Sequence, residues 1–368
     1  MAQTDFGSLT SAQKRVWANE IWKAGRNKSF FFNNGFVGES DSDMNSVIQR
    51  VTKLTETERG TECVMSLVQD LTGDGVVGDN TLEGAEEAMV NDTQTIRIDQ
   101  LRNGVKNKGE MSEQATVIRF RATGKEKLSF WISDKMDELM FLTLSGRAYS
   151  LKLNGATRVG SSLPSLTFAA DVVAASSGRI VYAGSATSEG TITASDKMSW
   201  ATIVRAQTRA QEKCLVPIRA NGREYFAMVM HPRQARDLQL DPTYLSVVKT
   251  AEKQGEGNPL FKGALVTVNG VMVYQHNKTY NTSGTATKWG SGNTVDGAQA
   301  LLLGAQAAGL SLLGELFWRE SDTSDYGNKA SAAVGRKLGM LKPQFISQYD
   351  SDTRQDFSVM AVKTAAAE

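Results

Sequence analysis

Side chains suited to chemistry are scarce in this 368-residue chain. It holds two histidines, His231 and His276, and two cysteines, Cys63 and Cys214. Imidazole is the commonest general base and metal ligand near neutral pH. His231, however, stands between the apolar run Tyr225 to Met230 and Pro232, the position of a strand-end residue. His276 follows a second apolar run, with no Ser or Cys at a spacing that makes a nucleophile pair. The cysteines lie far apart and fit neither a disulfide framework nor a metal knuckle, so they read as free thiols from a reducing compartment. Asp70-x-Thr72-x-Asp74-Gly75 resembles the opening of a calcium loop, but the twelfth place, which needs a bidentate Glu, is Thr81. Its flanks read as strands rather than helices, and the plain reading is a turn. Glu86 and Glu87 lie in the same polar segment, where solvation is the simplest fate. There is no G-x-x-x-x-G-K-S/T loop, no G-x-G-x-x-G between strand and helix, and no G-x-S-x-G elbow. The expectation is a protein with no catalytic residues, no metal and no cofactor.

Composition narrows the class. Forty-one basic residues face forty acidic ones, a net charge of +1, which argues against a chain whose main work is gripping nucleic acid. A hydrophobic content of 40% suffices for a real core. The opening MAQTDFGSLT has neither the basic run nor the apolar core of a signal peptide. No run approaches the roughly 20 apolar residues of a membrane span. A soluble protein made in a cytoplasm, with no membrane partner, is expected.

The longest regular pattern is Ser112 to Leu144. At helical spacing it places Val117, Phe120, Leu128, Trp131, Leu139 and Leu142 on one stripe, with Lys125, Asp134 and Asp137 mostly off it. Unbroken, it would be roughly 50 Å long at about 1.5 Å per residue, a strut rather than an ordinary globular helix. The alternative is two core helices broken at Gly124. Ahead of it, Thr61 to Leu71 and Thr93 to Leu101 alternate as two strands around a glycine- and acid-rich tip, GDGVVGDNTLEGAEEAM. Such a hairpin is marginal alone and offers open edges to another chain. Residues 1–59 carry a short amphipathic helix (Ser11 to Ala24) and three adjacent aromatics, Phe30, Phe31 and Phe32. These suit either an arm that packs on a neighbour or a helix packed on its own domain.

Residues 147–180 read as short strands and turns. A compact α/β segment follows: a helix from Asp196 to about Lys213 capped by Ser195, the buried strand Tyr225 to Met230, and helices from Arg233 and from Pro242. Asn258 to Phe261 makes a turn, and Asn269-Gly270 a hairpin. Ala298 to Leu313 reads as strand, and Tyr326 to Phe345 with Phe357 to Val362 as a closing strand pair.

This order of arm, hairpin, long helix, α/β lobe and closing strands resembles the HK97-like fold of tailed-phage major capsid proteins. Particular words resemble the capsid proteins of the N-four-like podophage group. They are Ser46 to Arg50 with Leu54-Thr55, Asp79 to Glu87, Ile98 to Arg102, Gly109 to Ser112, Gly178 to Gly184 and Pro217 to Arg219. His231-Pro232, Asn258 to Gly263, Asn269 to Val271, Ala300 to Gln306 and Asp325 to Asn328 continue the series. Residues 150–175 show no clear family words.

The resemblance implies an α+β fold divided as an N-terminal arm (1–59), an extended hairpin or E-loop (60–104), a peripheral domain with its spine helix (105–175), an axial domain (176–317) and peripheral return strands (318–368). It implies a shell protein assembling as hexamers and pentamers into an icosahedral head around packaged double-stranded DNA, which it meets non-specifically on its inner face. Scaffold, portal and decoration or cement proteins are further implied partners. Inter-subunit contacts would fall on Phe30, Phe31, Phe32, Asp74, Glu83, Glu86, Glu87, Ile96, Ile98 and Arg102. An encapsulin-like compartment on the same fold is the alternative.

Overall fold

In the computed structural model, the described residues are 29–367 apart from 41, 53–59, 69–70, 72–73, 90, 112–119, 221, 251–265, 325 and 348–352. The expected helix at Ser11 to Ala24, residues 112–119 of the strut, Leu54-Thr55 and the turn at Asn258 lie outside them.

Two sheets organise the described residues. The first has four strands in the order β1 (Ile48–Val51), β11 (Ala308–Ser324), β12 (Lys329–Leu341) and β4 (Asp99–Lys106). The second runs β5 (Ile180–Tyr182), β15 (Val359–Ala365), β10 (Gly297–Leu303), β7 (Arg223–Met230), β9 (Val271–Gln275) and β8 (Val266–Val268), with β6 (Ile218–Ala220) paired to β7. Two hairpins stand apart: β2 (Glu62–Val68) with β3 (Asn91–Arg97), and β13 (Gln344–Ser347) with β14 (Thr353–Asp356).

The apolar run of β7 reads as it does because both faces of its sheet are buried. Ala227 and Val229 join one core, with the long helix and the four-stranded sheet, while Phe226, Met228 and Met230 join the other. That second core is closed by α3 (Trp200–Glu212) and α4 (Pro232–Gln239), with α5 (Pro242–Thr250) alongside. The cap of α3 is Ser199, whose hydroxyl accepts from the Thr202 N–H, not the expected Ser195. Ser195 instead meets the Thr193 hydroxyl in a tight turn held by Asp196. Asn269 and Gly270 both take positive φ, 46° and 85°, and join β8 to β9.

After the four-residue α1 (Phe30–Asn33), the long helix is α2, Phe120–Ser145, and it passes Gly124 without a break. The single-stripe expectation holds only in its first half, where Glu126, Lys127 and Phe130 face solvent. From Met136 to Ser145 every residue is buried, Asp137 and Glu138 included. The cause is enclosure: β12 packs along one side and the aromatics of the arm cover the other.

Topology shifts the expected divisions. β11 already belongs to the four-stranded sheet, so the boundary expected at 317/318 falls inside a strand. The closing strands β12 and β15 do not pair; β15 sits between β5 and β10. Strand order is set by long-range pairing, which local periodicity does not carry. Residues 147–180 hold one bridge, Leu151 to Thr157, and short 3-10 turns at Leu163–Ser165, Thr167–Asp171 and Ser177–Arg179. Leu163 and Leu166, three apart, bury together, the period of a 3-10 turn rather than of a strand.

Candidate assembly surface

The hairpin β2/β3 pairs from Glu62 with Arg97 out to Val68 with Asn91. Its seven paired residues project about 23 Å at ~3.3 Å each, before the tip begins. The root is clamped. The Arg97 carbonyl passes so close over Gly339 that a Cβ there would lie 2.2 Å from it. Ile96 and Met65 lie over Gly309, 3.7 and 3.5 Å from where its Cβ would stand. Ile98 packs with Leu313 and Cys63. Arg97 bridges Asp171 at 2.6 Å and Glu62 at 3.2 Å, while Asp92 pairs with Arg354 and accepts from the Ile346 N–H at 3.1 Å. A cavity of about 420 Å³, lined by Val51, Met65, Leu67, Ala308, Phe345 and others, lies beside this root.

The described residues of the tip face solvent. Asp74, Glu83, Glu86 and Glu87 are exposed, and so are four apolar residues: Leu71, Val77, Leu82 and Met89 are 57–79% exposed. Single exposed apolar side chains are ordinary, but several on one projecting ribbon mark a contact surface.

The arm ends in an aromatic cluster. Phe31 meets Phe141 at 4.7 Å between ring centroids, Phe30 meets His276 at 4.4 Å, and Phe36 meets Tyr274 at 5.0 Å. Asp137 on α2 fixes it, accepting from the Ser29 hydroxyl at 2.5 Å and the Phe30 N–H at 2.7 Å. Burial raises the Asp137 pKa, against the opposing pull of those two hydrogen bonds. His276 stacks on Phe141, and its imidazole is pushed down to about 4 by burial, then by Lys278. His231 caps α4 through Nδ1, which accepts from the Arg233 N–H at 3.3 Å, and burial lowers it likewise to about 4. Both histidines therefore serve the fold as neutral rings.

Residues 6–368 match the sequence model of the family described as phage capsid protein. The chain belongs to that family. The major capsid protein of Pseudomonas phage KPP25 is 40% identical over 375 residues, covering 99% of this chain and 98% of that relative. The capsid of Ralstonia phage GP4 superposes with a TM-score of 0.76 at 27% identity, over 100% of this chain and 96% of that one. The cyanophage Pam1 capsid asymmetric unit shares the fold, with a TM-score of 0.70 at 19% identity over 99% and 100% of the two chains. This is a major capsid protein of a tailed-phage head shell, with a mixed α+β HK97-like fold. It is a structural protein rather than an enzyme, and its place is the virion shell, built of homo-oligomeric capsomers. The encapsulin-like alternative gives way to a phage head.

The expected contact residues divide into two groups on the capsid subunit. Asp74, Glu83, Glu86, Glu87 and Arg102 are exposed. Ile96 and Ile98, at 0% and 8% exposure, are filled positions of the subunit's own core. Strand alternation gave them a buried face; the covering body is the chain's own sheet. Phe31 is buried and Phe30 and Phe32 pack partly against the same core, so the reading of a helix packed on its own domain replaces that of an arm seeking a neighbour. Asp137 was missed, because an acid off the apolar stripe looks solvated until its other side is covered.

Proposed function

We propose that the subunits gather as hexamers and pentamers in an icosahedral shell around packaged double-stranded DNA, with the hairpin lying across a neighbouring subunit. The observation that carries this reading is the contrast between a root clamped by core packing and ion pairs and a tip that exposes Leu71, Val77, Leu82 and Met89. A ribbon held so firmly at one end and exposed at the other suits strand or surface addition to a second chain. The exposed tip acids and Arg102 are the residues that would make that contact. Near-neutral overall charge suits a wall that contains DNA without gripping it. Scaffold, portal and decoration or cement proteins, and placement in the N-four-like podophage group, rest on the sequence resemblance.

The test replaces residues 74–87 with a short glycine turn. The altered and native chains are expressed with phage assembly genes and examined by sedimentation and negative-stain imaging. Native closed shells with an altered chain that stays as folded, unassembled subunits is the expected result. Normal shells from the shortened hairpin would overturn its role.

A further inference from the structure

The cavity of about 420 Å³ beside the hairpin root is built from three separate parts of the chain. Val51 of β1 with Ala308 and Gly309 of β11 form one part of its lining. Pro343 and Phe345 form another, with the Phe357 ring edge-on to Phe345 at 5.5 Å between centroids. Cys63, Met65 and Leu67 of β2 form the third. Val51, Ala308, Pro343 and Phe345 are buried. Met44 and Val64, also in the lining, are exposed and mark the side that opens to solvent.

No acidic or basic side chain stands among the described lining residues. An ion entering such a space would lose water without gaining a countercharge, so the lining selects against charge. Its polar side chains are Gln49, Ser66 and Gln306, and the Gln306 amide donates to Gln49 Oε1 at 3.0 Å. An apolar body with a few polar groups at one place is the make-up of small-molecule sites, which span about 300–1,000 Å³. Volume sets the size of the occupant. An apolar cavity of about 150 Å³ takes one benzene ring, so this one has room for two to three rings or a chain of about ten carbons. The thioethers of Met44 and Met65 supply flexible, polarisable walls that adapt to either shape.

We propose that this cavity binds a small uncharged molecule with an apolar body of that size and one hydroxyl or amine group turned towards the Gln49–Gln306 pair. β2 lines one side and β1 and β11 another, so the occupant joins the hairpin root to the four-stranded sheet, whatever the tip touches.

The test uses the neutral fluorescent probe N-phenyl-1-naphthylamine, with 1-decanol as competitor, on unassembled subunits and on closed shells. Saturable one-to-one binding, displaced by decanol and equal in both forms, is the expected result. Leu67→Asn, which makes the lining polar, and Leu67→Trp, which fills the space, should each weaken binding at least tenfold with circular dichroism unchanged. Leu82→Asn with Met89→Asn, which removes exposed apolar groups from the tip, should leave it unchanged. In the native chain with labelled methionine methyls, the probe should move the Met44 and Met65 signals and leave Met228 and Met360 of the second core in place. Absence of saturable binding would overturn the proposal, and so would binding that survives both Leu67 variants or leaves the Met44 and Met65 signals unmoved. Subunits that bind the probe while shells refuse it would give the cavity to a side chain of a second copy and equally refute it.

Discussion

Asp356→Asn tests whether the junction between the two sheets is as dry as its geometry requires. Lys342 lies one residue beyond β12, and Asp356 ends β14. Their side chains meet at 2.9 Å with 1% and 0% of their surface exposed. Asp356 also accepts from the Gln344 side-chain amide at 2.7 Å and the Ser176 N–H at 3.1 Å. Burial holds the Lys342 pKa below its usual 10.5, and the attraction of Asp356 only partly offsets it. The pair therefore fixes geometry more than it stabilises. The asparagine keeps the shape but leaves the ammonium buried without a countercharge, a loss of about 3–5 kcal/mol. Adding Lys342→Met should recover about 1–3 kcal/mol as a coupling energy. Urea unfolding of the unassembled subunit, followed by tryptophan fluorescence, measures both. The sign with pH is fixed: a lysine whose folded pKa lies below its unfolded value destabilises at low pH. The Asp356→Asn defect should therefore shrink as pH rises towards 10.5. A defect under about 1 kcal/mol, or one independent of pH, would refute the reasoning.

Other outcomes follow from the same geometry. Asp137→Ala removes the acceptor for Ser29 and Phe30, and should cost about 1–3 kcal/mol and speed protease cleavage near residue 30. Gly339→Ala forces a methyl against the Arg97 carbonyl, a cost of about 1–3 kcal/mol, and limited proteolysis should then cut the hairpin first. Since His276 titrates near 4 when folded and near 6.5 when unfolded, its contribution is intact above 6.5 and is lost as pH falls to about 4. His276→Gln should flatten that part of the stability–pH curve, as read by unfolding midpoints at pH 7 and pH 5.

The sequence carried most where local pattern and burial agree. The run Tyr225 to Met230 is continuous because its sheet has a core on each face, and Asn269-Gly270 announces its turn through the φ values it tolerates. The hairpin and its exposed acidic tip were legible for the same reason. Ile96 and Ile98 show the limit: alternation says that a face is buried, not which body buries it. Phe30 to Phe32 and Asp137 show it again, since each is explained only by the other, across more than a hundred residues. Ser195 lost the helix cap to Ser199 because its hydroxyl was already engaged in a neighbouring turn.

β15 carries a consequence for how the subunit is made. It is the last strand of its sheet to be synthesised, yet it lies inside that sheet, pairing β10 on one side and β5 on the other, with all seven residues buried. While a chain is still on the ribosome, β5 and β10 lack their common partner and the lobe cannot close. A chain terminated early would keep its hairpin and spine helix but lack a closed lobe. Strand order thus makes closure of this sheet wait on its last-made strand: without β15, β5 and β10 are left unpaired on the side it fills.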